Sequence, residues 1–120
     1  MLYDEYVRRY PLVFKEYPIC GMDIPDGWHV LVNNLSKDIN EYLKEHPIEK
    51  FRVVQIKSKF AELRYYVEYG DDHIKQLIDE YSSKSLKICE KCGGPGKRYS
   101  NGRWLYTVCD QHALEIGNKG

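Results

Sequence analysis

No run of this 120-residue chain approaches the roughly 18 apolar residues that a membrane-spanning helix needs. Charge of one sign is missing too. Eighteen Lys and Arg balance eighteen Asp and Glu, so no global basic field draws the chain onto nucleic acid. There is no separate glycine-rich loop to cradle phosphates, because Gly93-Gly94-Pro95-Gly96 follows Cys92 and reads as part of a metal knuckle. No Ser or Cys nucleophile has a visible base partner, and neither paired acids nor an open metal site is visible. These gaps make an enzyme the weakest functional reading. The opening Met1-Leu-Tyr-Asp-Glu-Tyr lacks the basic and apolar regions of a secretion signal. Cysteine is scarce, at four, and Cys20 stands alone, which favours a reducing compartment. The expected location is the cytoplasm, with no membrane partner.

The other three cysteines carry the strongest signal. Cys89, Cys92, Cys109 and His112 form Cys-x2-Cys, a gap of sixteen residues, then Cys-x2-His. Each pair can set two ligands on one tight turn, and soft thiolates at this spacing select zinc over hard cations. Lys97–Ser100 and Arg103–Val108 read as short strands joined by Asn101-Gly102, the preferred pair for a two-residue type I′ turn. Knuckle, hairpin and knuckle make a zinc ribbon. Four protein ligands leave no open position, so the expected Zn2+ is structural. A disulfide or free thiols are the alternative.

Upstream, Leu2, Tyr3, Tyr6 and Tyr10 suggest a short helix before Pro11 within an otherwise irregular segment. Asp26 is the expected N-cap of a helix entering at Gly27-Trp28, with Trp28, Leu31, Leu35, Ile39 and Tyr42 on one face. Phe51–Ser58 and Glu62–Tyr69 read as strands, and Asp71-Asp72 opens a second helix that buries Ile74, Leu77, Ile78 and Tyr81. His73, beside those acids, is a metal candidate that helix capping explains better. The predicted class is α+β: two helices packed on a β-hairpin or small antiparallel sheet, followed by a zinc ribbon. Residues 1–86 form the α+β domain and 87–120 the ribbon. Two strands alone are a marginal sheet, which leaves room for a partner chain or a second copy to extend it.

Alternation places Val54, Ile56, Phe60, Leu63, Tyr65, Val67 and Tyr69 beneath the helices. The opposite face then carries Gln55, Lys57, Lys59, Arg64 and Tyr66, among Glu62 and Glu68. Arg64 can fork onto a phosphate, the lysines add charge, and Tyr66 offers a ring or hydroxyl. The alternative is a solvated face with cross-strand pairs such as Lys57 to Glu62 or Glu68. Lys97, Arg98 and Arg103, interleaved with Tyr99 and Trp104, form a second candidate nucleic-acid surface.

The segment Gln55-Ile-Lys-Ser-Lys-Phe-Ala-Glu-Leu-Arg-Tyr-Tyr resembles the "Q-v-K-E-K-F-G-x-L-R-F-Y" signature of a family of small phage and bacterial proteins without an assigned activity. The resemblance runs from about residue 20 to 115. It includes the Gly27-Trp28 helix start and a ribbon of the form "C-x-x-C-G-x-x-G … W … T-x-C-D-x-[CH]", matched by Cys89 to His112 with Trp104, Thr107 and Asp110. The chain departs from the signature at Ser58, where it has Glu, and at Ala61, where it has Gly. The resemblance implies phage or mobile-element biology, in which a protein of this size can sequester a host nucleotide signal as a counter-defence, in the host cytoplasm. The leading expectation is therefore a zinc-containing binding protein for a nucleotide or nucleic acid. The alternative is an adaptor that docks a larger protein.

Overall fold

The computed structural model describes residues 3–115. Leu2, and the part of the expected second domain after Glu115, lie outside them. The fold is mixed α and β, with helices and two small antiparallel sheets. Among the described residues no helix is long and apolar enough to cross a membrane.

Helix α1 (Tyr3–Arg9) buries Tyr6, and the turns after it bury Tyr10, Val13 and Phe14. Three hydrogen bonds dock this unit on helix α2 (His29–Glu45): Tyr10 Oη donates to Asn33 Oδ1 at 2.6 Å, Leu12 N to Asn40 Oδ1 at 3.0 Å, and the Tyr6 hydroxyl pairs with His29 Nδ1 at 3.3 Å. α2 buries Leu31, Leu35 and Ile39 as its periodicity predicts, and also Val32, Ser36, Asn40 and Leu43. Ser36 is satisfied by the hydroxyl of Tyr65 at 2.9 Å.

Asp26 does not cap α2. Residues Asp26–Trp28 form a 3-10 turn without a side-chain cap. The entry is instead tied to a distant segment: Gly27 N donates to Glu90 O and the Trp28 indole to Ile88 O, both at 2.8 Å. At α3 (Asp72–Ser85) the cap is Asp71, whose side chain accepts from Ile74 N at 3.0 Å. The capping expectation at the acids beside His73 is thus met by Asp71, and among the described residues His73 belongs to no cluster of metal-binding side chains. Its ring stacks on Tyr42, which stacks in turn on His46.

Strands β1 (Arg52–Lys59) and β2 (Glu62–Glu68) pair antiparallel, with a bulge between Val53 and Gln55. The bulge overturns part of the expected inner face, because Val53, not Val54, is buried beside Ile56. An extra residue in one strand shifts the alternation by one. The bulge sits where residues 20–23 run along β1, with Cys20 N donating to Val54 O and Ile56 N to Gly21 O. Phe60 is also off the predicted face. Phe60 and Ala61 form the β1–β2 turn, at φ 53° and 66°, and Tyr69, the last residue assigned to that face, is exposed. Two residues at positive φ fit a type I′ turn, although neither is Gly. Ala61 is held there under full cover.

One continuous core joins α1, α2, β1, β2 and α3, with Trp28, Leu35, Ile39, Ile56, Leu63 and Tyr65 at its centre. Leu35→Ala should cost about 2–5 kcal/mol by opening a cavity there. A denaturation midpoint unchanged by that substitution would place α2 on the wrong face.

Candidate metal centre and the adjoining cationic cleft

α3 delivers the chain into the Cys89–Gly93 turn. Gly93 N donates to Cys89 O at 2.8 Å, and Gly93 sits at φ 80°, a conformation glycine adopts freely. Strands β3 (Lys97–Ser100) and β4 (Leu105–Val108) follow, and then helix α4 (Asp110–Glu115), which carries His112. The donor atoms of Cys89, Cys92, Cys109 and His112 all lie within 4.8 Å of one another. His112 Nδ1 is 3.1 Å from Cys109 Sγ and 3.5 Å from Cys89 Sγ, and the Cys92 and Cys109 sulfurs are 4.0 Å apart. This convergence is compatible with a metal site. The imidazole turns its other nitrogen, Nε2, toward the Glu115 carboxylate at 3.7 Å.

Within the knuckle Cys89 favours the thiolate, whereas at Cys92 the Gly94 N–H lowers the thiol but the neighbouring Cys89 and Cys109 sulfurs push it up. Burial pushes the Cys89 thiol up, but the backbone N–H groups of Cys109, Cys92 and Lys91 outweigh it, and the thiol falls to about 6. Behind the cluster, Glu90 is buried. Its backbone N donates to Thr107 O at 2.8 Å, and its carboxylate accepts from Thr107 N at 3.1 Å. Thr107 Oγ1 then donates to Ala61 O at 2.6 Å. The C-terminal unit is thereby fastened to the β1–β2 turn as well as to the start of α2.

The β3–β4 loop is longer than the expected two-residue turn. Ser100 pairs with Leu105, so residues 101–104 form the loop and Arg103 and Trp104 leave the ladder. Asn101 is the cause: its Oδ1 accepts from Arg103 N at 2.9 Å and from Trp104 N at 2.8 Å. The Trp104 ring is consequently about half exposed.

The bulge leaves the candidate outer face intact, because all its residues follow Val54. Gln55 pairs with Tyr66, Lys57 with Arg64, and Lys59 with Glu62. These five side chains do not act alike. The Gln55 amide donates to Cys20 O at 3.0 Å and ties down the segment along β1. Arg64 Nη1 meets Glu62 at 3.1 Å, while its Nε is buried without a partner among the described residues. Lys59 lies over the ring of Phe60 at 5.6 Å.

The two surfaces that the sequence separates are partly joined. Lys57, Lys59 and Phe60 share a cleft of about 470 Å3 with Arg103 and Trp104. Arg98 reaches Phe60 O at 3.4 Å across the same junction. Lys97 and Tyr99 point elsewhere, both to Asp110: the lysine lies 3.7 Å away and the Tyr99 hydroxyl donates to the carboxylate. Alternation assigns Phe60 to the core, so no signal in the sequence marks it as lining this cleft. Two positive-φ residues in the turn put it in water instead.

No protein-family model, no curated protein and no solved structure matches this chain.

Proposed function

We propose that the protein is a zinc-stabilised binding protein for a phosphate-bearing ligand, held at the outer face of β1–β2. The observation that carries the reading is the cross-strand placement of Lys57 beside Arg64, with Lys59 and Tyr66 on the same face and Arg103 brought to its edge. Glu62 anchors one end of the Arg64 guanidinium, which orients the group but also competes with a bound anion.

Zinc is the metal that the donor set supports best. Three thiolates and one imidazole suit it. A tetrahedron with ordinary Zn–S and Zn–N bonds has edges of roughly 3.5–3.8 Å. Three of the six donor separations, 3.1, 3.5 and 4.0 Å, lie around that range, and all four donors are within 4.8 Å of one another, so binding would draw the widest pair together. With four protein donors the ion is structural, and the C-terminal unit reads as a zinc ribbon closed by a short helix.

Calorimetry with inorganic phosphate, a nucleotide panel and short oligonucleotides tests the ligand site. Arg64→Ala should abolish binding while leaving the fold and the zinc content intact, since the side chain is about one-third exposed and its removal leaves no buried charge behind. Binding should also weaken as salt rises. If no phosphate ligand binds the wild-type protein, the face is solvated surface and the adaptor reading takes its place.

A further inference from the structure

We infer that the cleft between the β1–β2 turn and the 101–104 loop takes single-stranded nucleic acid; this rests on the phosphate-ligand reading of the same face. Two large rings border the cleft, Phe60 at 59% and Trp104 at 54% exposure. Both rings are more than half in water, Phe60 with Lys59 lying over one side of it, and an exposed ring is a surface on which a base of any identity can stack. Trp104 is held out by the Asn101 cap rather than drawn into a core.

Cations flank both rings. Lys57 and Lys59 alternate on the outer face of β1, about 6.7 Å apart along the strand. That step is close to the spacing of successive phosphates in an extended single strand. Arg103 stands across the cleft. Away from the cleft the face continues through Arg64, opposite Lys57, to a third exposed ring at Tyr66, opposite Gln55. Glu62 faces Lys59 on this track and is neutralised by Arg64. Cations and rings thus recur along one line rather than converging on one point.

A mononucleotide fits the arrangement less well. Enclosed small-ligand sites fix orientation with a few convergent polar groups in a mostly buried pocket. None of the residues lining this cleft is buried. A duplex also fits poorly, because its bases are already stacked on each other and cannot reach the two rings.

Fluorescence anisotropy with a labelled oligothymidylate of about twelve residues, within the range that small single-strand sites cover, tests the inference. A hairpin duplex, ATP and inorganic phosphate serve as competitors. The oligonucleotide should bind more tightly than ATP or the duplex. Its log affinity should fall against log salt with a slope of about −2 to −3, as for three or four phosphate contacts. Trp104→Ala should weaken it roughly ten- to a hundredfold, and Lys57→Gln with Lys59→Gln should lower the slope by about 1.4. ATP or the duplex binding as tightly as the oligonucleotide overturns the single-strand inference but leaves the phosphate reading standing. So does an unchanged affinity in Trp104→Ala. If oligonucleotide, ATP and phosphate all fail to bind, both readings fall together.

Discussion

Stripping the metal from the folded protein is expected to lower the thermal midpoint by more than about 10 °C, as loss of several kcal/mol does in a domain of this size. The cause lies in how little else holds the C-terminal unit. Among the described residues its own core consists of Cys89, Val108 and Ala113, with Tyr99, Tyr106 and Cys109 packed at its margin. That apolar area cannot offset the entropy of ordering the segment, so under the zinc reading proposed above metal binding would supply its folding energy. The effect should spread along two fastenings. Thr107 releases Ala61, which loses the partner of its carbonyl while still at positive φ. Ile88 and Glu90 release Trp28 and Gly27 at the start of α2. Among the described residues the main core shares none with the small one, so most of the helical circular dichroism should survive. Native mass spectrometry should find one zinc per chain, and Trp28 fluorescence should change as a chelator removes it. Cys92→Ser should reproduce the loss, whereas His112→Cys should keep the metal, since four thiolates also suit zinc. Protein without zinc, or a midpoint indifferent to the chelator, would end this account.

The parts of the molecule legible in the sequence are those fixed by local spacing. Cys89, Cys92, Cys109 and His112 converge because each pair lies within one turn, and Gln55, Lys57, Lys59, Arg64 and Tyr66 share a face because they follow a regular alternation. The misread features depend on segments distant in sequence or on a single side chain. The bulge that exchanges Val53 for Val54 sits where residues 20–23 bond to β1. The entry of α2 reads as an Asp26 cap only until Ile88 and Glu90, some sixty residues on, supply its partners. The β3–β4 loop is lengthened by one Asn101 carboxamide, and that shift turns Trp104 from a strand residue into a presented ring. Ala61 shows the limit of propensity. An alanine is unfavourable at φ 66°, and tertiary cover keeps it there.

Gly27→Ala should be among the most damaging single substitutions in the chain, although it adds one methyl group. The reason is steric. A Cβ at Gly27 would lie 2.0 Å from Cys89 O, 2.6 Å from Gly93 N and 2.8 Å from the Glu90 carbonyl carbon. All three are backbone atoms of the metal knuckle, so no flexible side chain can yield. Either the knuckle retreats by an ångström or more, or the start of α2 does. Retreat breaks the Gly27 N bond to Glu90 O and strains the Trp28 indole bond to Ile88 O. It also drags Cys89 away from the other three ligands. The expected cost is at least about 3 kcal/mol, the upper end of ordinary overpacking, with weaker zinc retention under chelator. Two other glycines separate this cause from generic effects. Gly94→Ala, in the same knuckle, would meet only Cys92 Sγ at 3.5 Å, an ordinary contact, and should be nearly neutral. Gly102→Ala has open space but sits at φ 94°, and should cost about 1–2 kcal/mol through backbone strain alone, without loss of zinc. Denaturation midpoints and zinc-release rates for the three variants rank these effects. If Gly27→Ala behaves like Gly94→Ala, the knuckle does not pack against α2, and the route by which metal loss reaches the main core disappears with it.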